Sequence, residues 1–218
     1  MSMLIIVLLI VAGVAVVGAT CFVTIRPLIL RWGATAIEAG LSMDGDSLIA
    51  NPILMTTRAT NIQAHAECVW PWLAQMGQGR GGFYSYEWLE NLAGLDIHNA
   101  DRIIPELQGL KPGDLIPFWR GAGVNVVTVE PPRLLVLAGT LNPPKGDDVE
   151  DAPVGGTWVF ALDEAMAQET RLVVRSRVAK FEPAWLSRFF ILLLEPIHFV
   201  MERKMLRGIK HRAERQSG

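Results

Sequence analysis

The sequence predicts an α+β domain carried on one N-terminal transmembrane helix, and three features predict it. Met3 to Ile25 contains no charged residue. From Asp114 onward, apolar residues alternate with polar ones at the period of β-strands. The chain then closes on a long helical pattern from Pro183 to Arg212.

The apolar run comes first. Its 23 residues would rise about 34 Å as a helix, enough to cross a hydrocarbon core of about 30 Å. A secretory signal would need a basic segment before a shorter apolar stretch. Here nothing basic precedes the run, and Arg26 and Arg31 follow it. The excess of positive charge on cytoplasmic flanks therefore predicts a single-pass protein of the cell (inner) membrane, with its soluble part in the cytoplasm. This divides the chain into an anchor over 1–26, a connector over 27–53 and a folded domain over 54–218.

Composition excludes several classes. A net charge of −2, with no basic patch interleaved with aromatics, argues against a nucleic-acid partner. Cys21 and Cys68 make neither a disulfide framework nor a metal motif. No metal and no cofactor is expected.

Within the domain, Thr56–Gln63 reads as a strand that is polar on both faces, suited to a sheet edge. Val69, Trp72, Leu73 and Met76 follow at helical spacing, with the regular helix starting near Trp70 so that Pro71 falls in its first turn. After the glycine-rich Gly77–Gly82, Ser85 reads as an N-cap. The short helix behind it would bury Trp88, Leu89 and Leu92 and stop at Gly94. Leu115–Trp119 and Val124–Val129 form a hairpin about Gly121-Ala122-Gly123, and Leu134–Leu141 makes a further strand. Asn142–Gly156 is an acidic exposed loop. Two antiparallel strands complete the meander; Leu172, Val174, Ser176 and Val178 face one way, and Arg171, Arg175 and Arg177 the other. In the last helix Leu186, Phe189, Leu193, Ile197, Val200, Met205 and Ile209 trace the packed face, and Pro196 should kink it. Beyond Pro196 the cations Arg203, Lys204, Arg207, Lys210, Arg212 and Arg215 suit the helix C-terminus and a contact with an anionic leaflet.

Strand, two helices, meander and long closing helix follow one another in the order of the helix-grip fold, in which a curved antiparallel sheet wraps the last helix. Ile62-Gln63-Ala64-His65-Ala66-Glu67-Cys68-Val69-Trp70-Pro71-Trp72-Leu73 resembles the opening of the START-like SRPBCC superfamily, which includes polyketide cyclases and lipid carriers. Gln75–Asn91 and Asp96–Arg102 resemble a largely uncharacterised bacterial branch of it. The resemblance covers residues 54–212. It implies a mainly apolar cavity of about 300–1,000 Å³ between meander and last helix, holding a hydrophobic small molecule or lipid.

Candidate ligand-binding residues are Arg80, Tyr84, Tyr86, Trp88, Trp119 and Trp158: a fixed cation, two hydroxyls, and rings that suit a flat or greasy ligand. The alternative is an enzyme of polyketide cyclase or dehydratase type, with Tyr84, Tyr86 or His98 as acid–base groups. A third reading is an accessory interaction domain with no small ligand. Glu195, His198 and Glu202 share a helix face, but one such set is too few for a di-iron bundle. The pattern reads as a polar face turned to solvent or to the arginine-faced strand.

Overall fold

The computed structural model describes residues 3–119, 122–140, 153–166 and 168–217. A six-stranded antiparallel sheet runs in the order β1-β6-β5-β4-β3-β2. Its strands are β1 (Leu54–Ile62), β2 (Leu115–Trp119), β3 (Ala122–Glu130), β4 (Leu134–Gly139), β5 (Gly156–Met166) and β6 (Glu169–Val178). The helices are α1 (Met3–Leu30), α2 (Ala36–Gly40), α3 (Ala66–Ala74), α4 (Glu87–Leu92) and α5 (Ala184–Ser217). One strand, two short helices, a meander and a long final helix occur in the expected order. The expected exposed loop over 142–152 lies outside the described residues, as does the centre of the β2–β3 turn.

The core lies between the concave face of the sheet and the C-terminal half of α5. Phe160, Leu172, Val174, Leu135 and Leu137 present one wall, and Met205, Leu206, Ile209 and Ala213 the other, all essentially without exposure. Val69, Trp72, Leu73 and Met76 of the α3 region close the end. Each such large apolar side chain contributes about 1.5–3 kcal/mol when fully buried.

One close approach seats α5. The Tyr84 backbone has φ 58°, a left-handed conformation unfavourable for a residue with a Cβ. It is held there by its N–H donating to the Asn99 side chain and its hydroxyl donating to the Trp72 carbonyl at 2.9 Å. Gly208 lies against it, and a Cβ at 208 would fall inside contact distance of the Tyr84 carbonyl oxygen and Cβ.

Several local expectations are corrected. β1 is an edge strand, yet Thr56, Thr57 and Arg58 are buried, because α5 covers one face and the connector the other. The Trp32 carbonyl accepts from Ala59 N–H at 3.1 Å, pairing part of that edge. The arginine face of β6 is likewise not solvated. Arg175 donates to the carbonyls of Leu41 and Glu38, to Thr57 Oγ1 and to Asp46, while Arg171 pairs with Glu38 at 2.7 Å. That ion pair lowers the Glu38 carboxyl to a pKa of about 2.

α3 starts at Ala66, four residues earlier than expected, with Pro71 inside it. The missing N–H leaves only the Glu67 carbonyl, on an exposed residue, without its helical donor. α4 is capped by Tyr86, and Ser85 Oγ donates instead to the Glu90 carboxylate. Trp88 is 67% exposed and Leu92 78%, so the expected apolar stripe of α4 faces out.

Met205 and Ile209 of the expected α5 face are buried, but the first half of the helix presents a different face. Phe189, Leu193, Ile197 and Val200 are exposed, and Ser187, Ile191, Glu195 and Glu202 are buried instead. Among the described residues no helix is long and apolar enough to cross a membrane. The α1 backbone is nonetheless a helix of 28 residues. Large hydrophobics along it, such as Leu9, Val16 and Val23, are exposed.

Gly208→Ala tests the close approach. Helix propensity alone would make it stabilising by about 1 kcal/mol. The clash with Tyr84 predicts instead a loss of about 1–3 kcal/mol in chemical denaturation; a gain would show that α5 is not seated as described.

Candidate functional site

The space between sheet and α5 narrows into a polar cluster at the level where α1 enters the domain. Arg58 projects from β1 with no exposed surface, two residue pairs beyond Thr56↔Ser176 in the β1–β6 register. Its Nη1 donates to Glu202, also buried, and to His198 Nδ1 at 3.1 Å. Its Nε donates to the Ile29 carbonyl at 3.0 Å, tying the foot of α1 to the sheet. The guanidinium also sits 5.4 Å from the centroid of the Phe199 ring. Glu202 accepts further from Trp158 Nε1 at 2.9 Å and Ser176 Oγ at 3.3 Å. One helical turn pair earlier, Glu195 accepts a forked donation from Arg26 at 3.0–3.1 Å.

Arginine has no acceptor atom, so His198 Nδ1 must accept and Nε2 must carry the proton. That Nε2 lies 3.6 Å from Glu202. Desolvation lowers the His198 pKa below 6.5, more than Glu202 and Glu195 raise it, and the Arg58 cation lowers it further; the side chain is 37% exposed, which weakens the desolvation. The ring therefore stays neutral at pH 7. The result is a charge-compensated clamp whose hydrogen bonds join α1, β1, β5, β6 and α5.

An aromatic cluster adjoins the clamp. Trp158 lies 4.8 Å from Phe160 and 6.4 Å from Phe118 between ring centroids, and Phe83 lies 4.9 Å from Phe118. Phe118 is exposed. The expected apolar cavity does not appear among the cavities described. Among the described residues, the C-terminal half of α5 packs directly on the sheet through the core residues above. A cavity of about 400 Å³ lies instead on the outer side of the sheet, lined by Leu41, Ser42, Ser47, Met55, Arg175 and Arg177.

The sequence-predicted residues fall in separate places. Arg80 donates to the carbonyls of Met76 and Ala74 at 2.9 Å and so caps α3; it borders a cavity of only about 110 Å³. Tyr84 is buried, and burial pushes its phenol well above the usual range. Tyr86 is half-buried between Trp88 and Lys204. Trp88 is on the surface. His98 is exposed and pairs with Asp96 at 3.1 Å. The Trp119 side chain lies outside the described residues. Of the set, only Trp158 joins the clamp.

Glu195 and Glu202 do not face solvent or the arginine face of β6, since Arg26 and Arg58 draw them inward, while His198 is partly exposed. The basic end of α5 is similarly engaged: Arg203 and Arg207 lie over Trp32, Lys210 pairs with Glu214, and Arg212 with Asp101. Arg58, Arg26 and Ser176 were missed by sequence reasoning. Their signal is a lone cation on a predicted strand facing two glutamates seven apart on a predicted helix. Among the described residues one candidate metal group occurs, His65, Glu67 and Glu164, and all three are exposed.

No family model matches the chain, and no curated protein matches it. Solved structures do resemble it. A polyketide-cyclase-like protein of Corynebacterium glutamicum aligns at 13% identity over 74% of this chain and 92% of that one, with a TM-score of 0.45. A protein of Thermobifida fusca aligns at 14% over 74% and 93%, TM-score 0.45. One of Mesorhizobium loti aligns at 13% over 74% and 98%, TM-score 0.44. These likenesses carry no argument about ligand, partner or activity, and the helix-grip arrangement stands on strand order and register.

The neutral His198 has a consequence for pH. The unfolded chain takes up a proton near pH 6.5 that the folded state resists, so stability falls as pH drops through that value. His198→Asn keeps an acceptor for Arg58 and should flatten the fall in denaturation midpoint between about pH 7 and pH 5.5. Glu38 contributes only below its unfolded value of 4.5. An unchanged slope in the variant would remove His198 from the clamp.

Proposed function

We propose that this chain is a membrane-tethered START-like domain that receives a hydrophobic small molecule or lipid at its membrane-proximal end. One observation carries the reading: the sheet's grip on α5 is uneven. The C-terminal half of α5 is buried through Met205, Leu206, Ile209 and Ala213, whereas Leu193, Leu194, Ile197 and Val200 of the other half remain exposed. Phe118 and Trp158 lie on the sheet beside the clamp that this half joins. An apolar ligand would therefore enter as a wedge at that end, above Trp158. The packed core favours a second reading, an interaction domain without small ligand. Acid–base catalysis has less support, because the Tyr84 hydroxyl is spent on a backbone carbonyl and His98 lies on the surface.

Tethering is supported by the uncharged sequence of Met3–Ile25 and the exposed hydrophobics on α1. Arg26 and Arg31 favour a cytoplasmic domain. Full-length protein carrying Asp163→Cys should stay with membranes through carbonate extraction and resist an impermeant maleimide until cells are opened. A soluble product would remove the tether, and labelling of intact cells would reverse the orientation.

The ligand reading is tested by native mass spectrometry of full-length protein released from lipid nanodiscs. It should retain an apolar species whose occupancy drops in Phe118→Asp. Equal retention by both proteins reports lipid around α1 only and favours the interaction domain.

A further inference from the structure

The first half of α5 carries a larger unpartnered apolar surface than a helix packed on a sheet requires. Trp185 is 70% exposed, Phe189 61% and Leu193 58%, and Leu192, Leu194, Ile197 and Val200 are exposed as well. Among the described side chains of Ala184–Leu194 and the adjoining Glu195, Ser187, Ile191 and Glu195, at a spacing of four, are the buried ones. Scattered single hydrophobics on a surface need no explanation, but a contiguous set marks a contact.

The position of this surface identifies the contact. Arg26 on α1 meets Glu195 on α5, and Trp32 just beyond α1 meets Arg203 and Arg207. Two points of contact in the same order show that the two segments run in the same sense past each other. Followed backward from the Arg26–Glu195 pair, α1 leads into the uncharged run and α5 leads into the exposed apolar segment, on the same side of the domain. The flanks set a limit on depth. Lys180 and Glu182 pair at 3.1 Å just before α5, and Glu195 closes the other end. The 11 residues of Ala184–Leu194 rise about 16 Å, whereas a crossing needs about 20 residues.

We propose that the first half of α5 is an interfacial helix, lying with Trp185, Phe189, Leu192 and Leu193 in the headgroup–acyl boundary of the leaflet that α1 enters. This rests on the tether reading and adds a second, non-spanning contact to it. Two contacts fix what one helix leaves free, the rotation of the domain about α1. The Arg26–Glu195 pair sets the angle between them. Tryptophan at one end and an apolar face along the segment are what such helices use, and Arg31, exposed just below, suits the lipid headgroups.

The test is spin labelling of the full chain in nanodiscs, with Cys21→Ala and Cys68→Ala as background and a single label at Leu193→Cys, Val16→Cys or Asp163→Cys. Relaxation by oxygen, which concentrates in lipid, is compared with relaxation by a water-soluble nickel complex. Labels at 16 and 193 should both respond more to oxygen, and the label at 163 more to nickel. A lipid response at 16 with a water response at 193 overturns the interfacial helix and leaves the tether standing. Water responses at both overturn the two together. Protection from both reagents at 193 means that protein covers the face, and overturns the lipid assignment in favour of a second copy.

Discussion

The buried pair between Arg58 and Glu202 is the constraint on which the rest of this structure depends. A guanidinium and a carboxylate removed from water have a desolvation cost of several kcal/mol each, offset only when their remaining hydrogen bonds are made. Here the partners come from separate segments, the Ile29 carbonyl, His198, Trp158 and Ser176, and leave only Arg58 Nη2 of the guanidinium nitrogens without one. Meeting those hydrogen bonds fixes where α1 ends and where α5 crosses β1. The clamp thus does for the end of the domain where α1 enters what Met205, Leu206 and Ile209 do for the opposite end. The difference is that a charge cluster fixes geometry without filling volume, so apolar side chains beside it remain uncovered.

Much of the fold was legible in the sequence because strands with one buried face advertise it. Leu172, Val174 and Ser176 do alternate with Arg171, Arg175 and Arg177 across β6, as the period of two requires. What that pattern could not tell is whether the arginine side meets water. It meets carbonyls of the connector, a partner whose sequence carries no periodic signal. The face of α5 was misjudged for a related reason. Helical spacing picks out Phe189, Leu193 and Ile197 as readily as Ser187, Ile191 and Glu195, and hydrophobicity favours the first set. Only the presence of Arg26 and Arg58 on neighbouring elements makes the polar set the buried one.

The site was less legible than the fold. Residue types that can do chemistry were chosen from the glycine-rich segment, and there they serve the backbone: Arg80 caps a helix and Tyr84 wedges α3 against α5. The C-terminal half of α5 is packed against the sheet, and the apolar side chains left uncovered lie on its other half. Arg58, by contrast, carries no motif. It becomes visible only when β1 and α5 are set face to face, since charge complementarity between predicted neighbours is a pairwise property.

The central claim is that Arg58 and Glu202 act as one coupled unit, and a double-mutant cycle measures this directly. Denaturation of the full-length protein in detergent would compare Arg58→Met, Glu202→Leu and the double variant. Each single change leaves a buried charge uncompensated and should cost on the order of 3–5 kcal/mol. The double variant should recover a large part of the summed loss. Additive losses, or singles that cost nothing, would contradict the account.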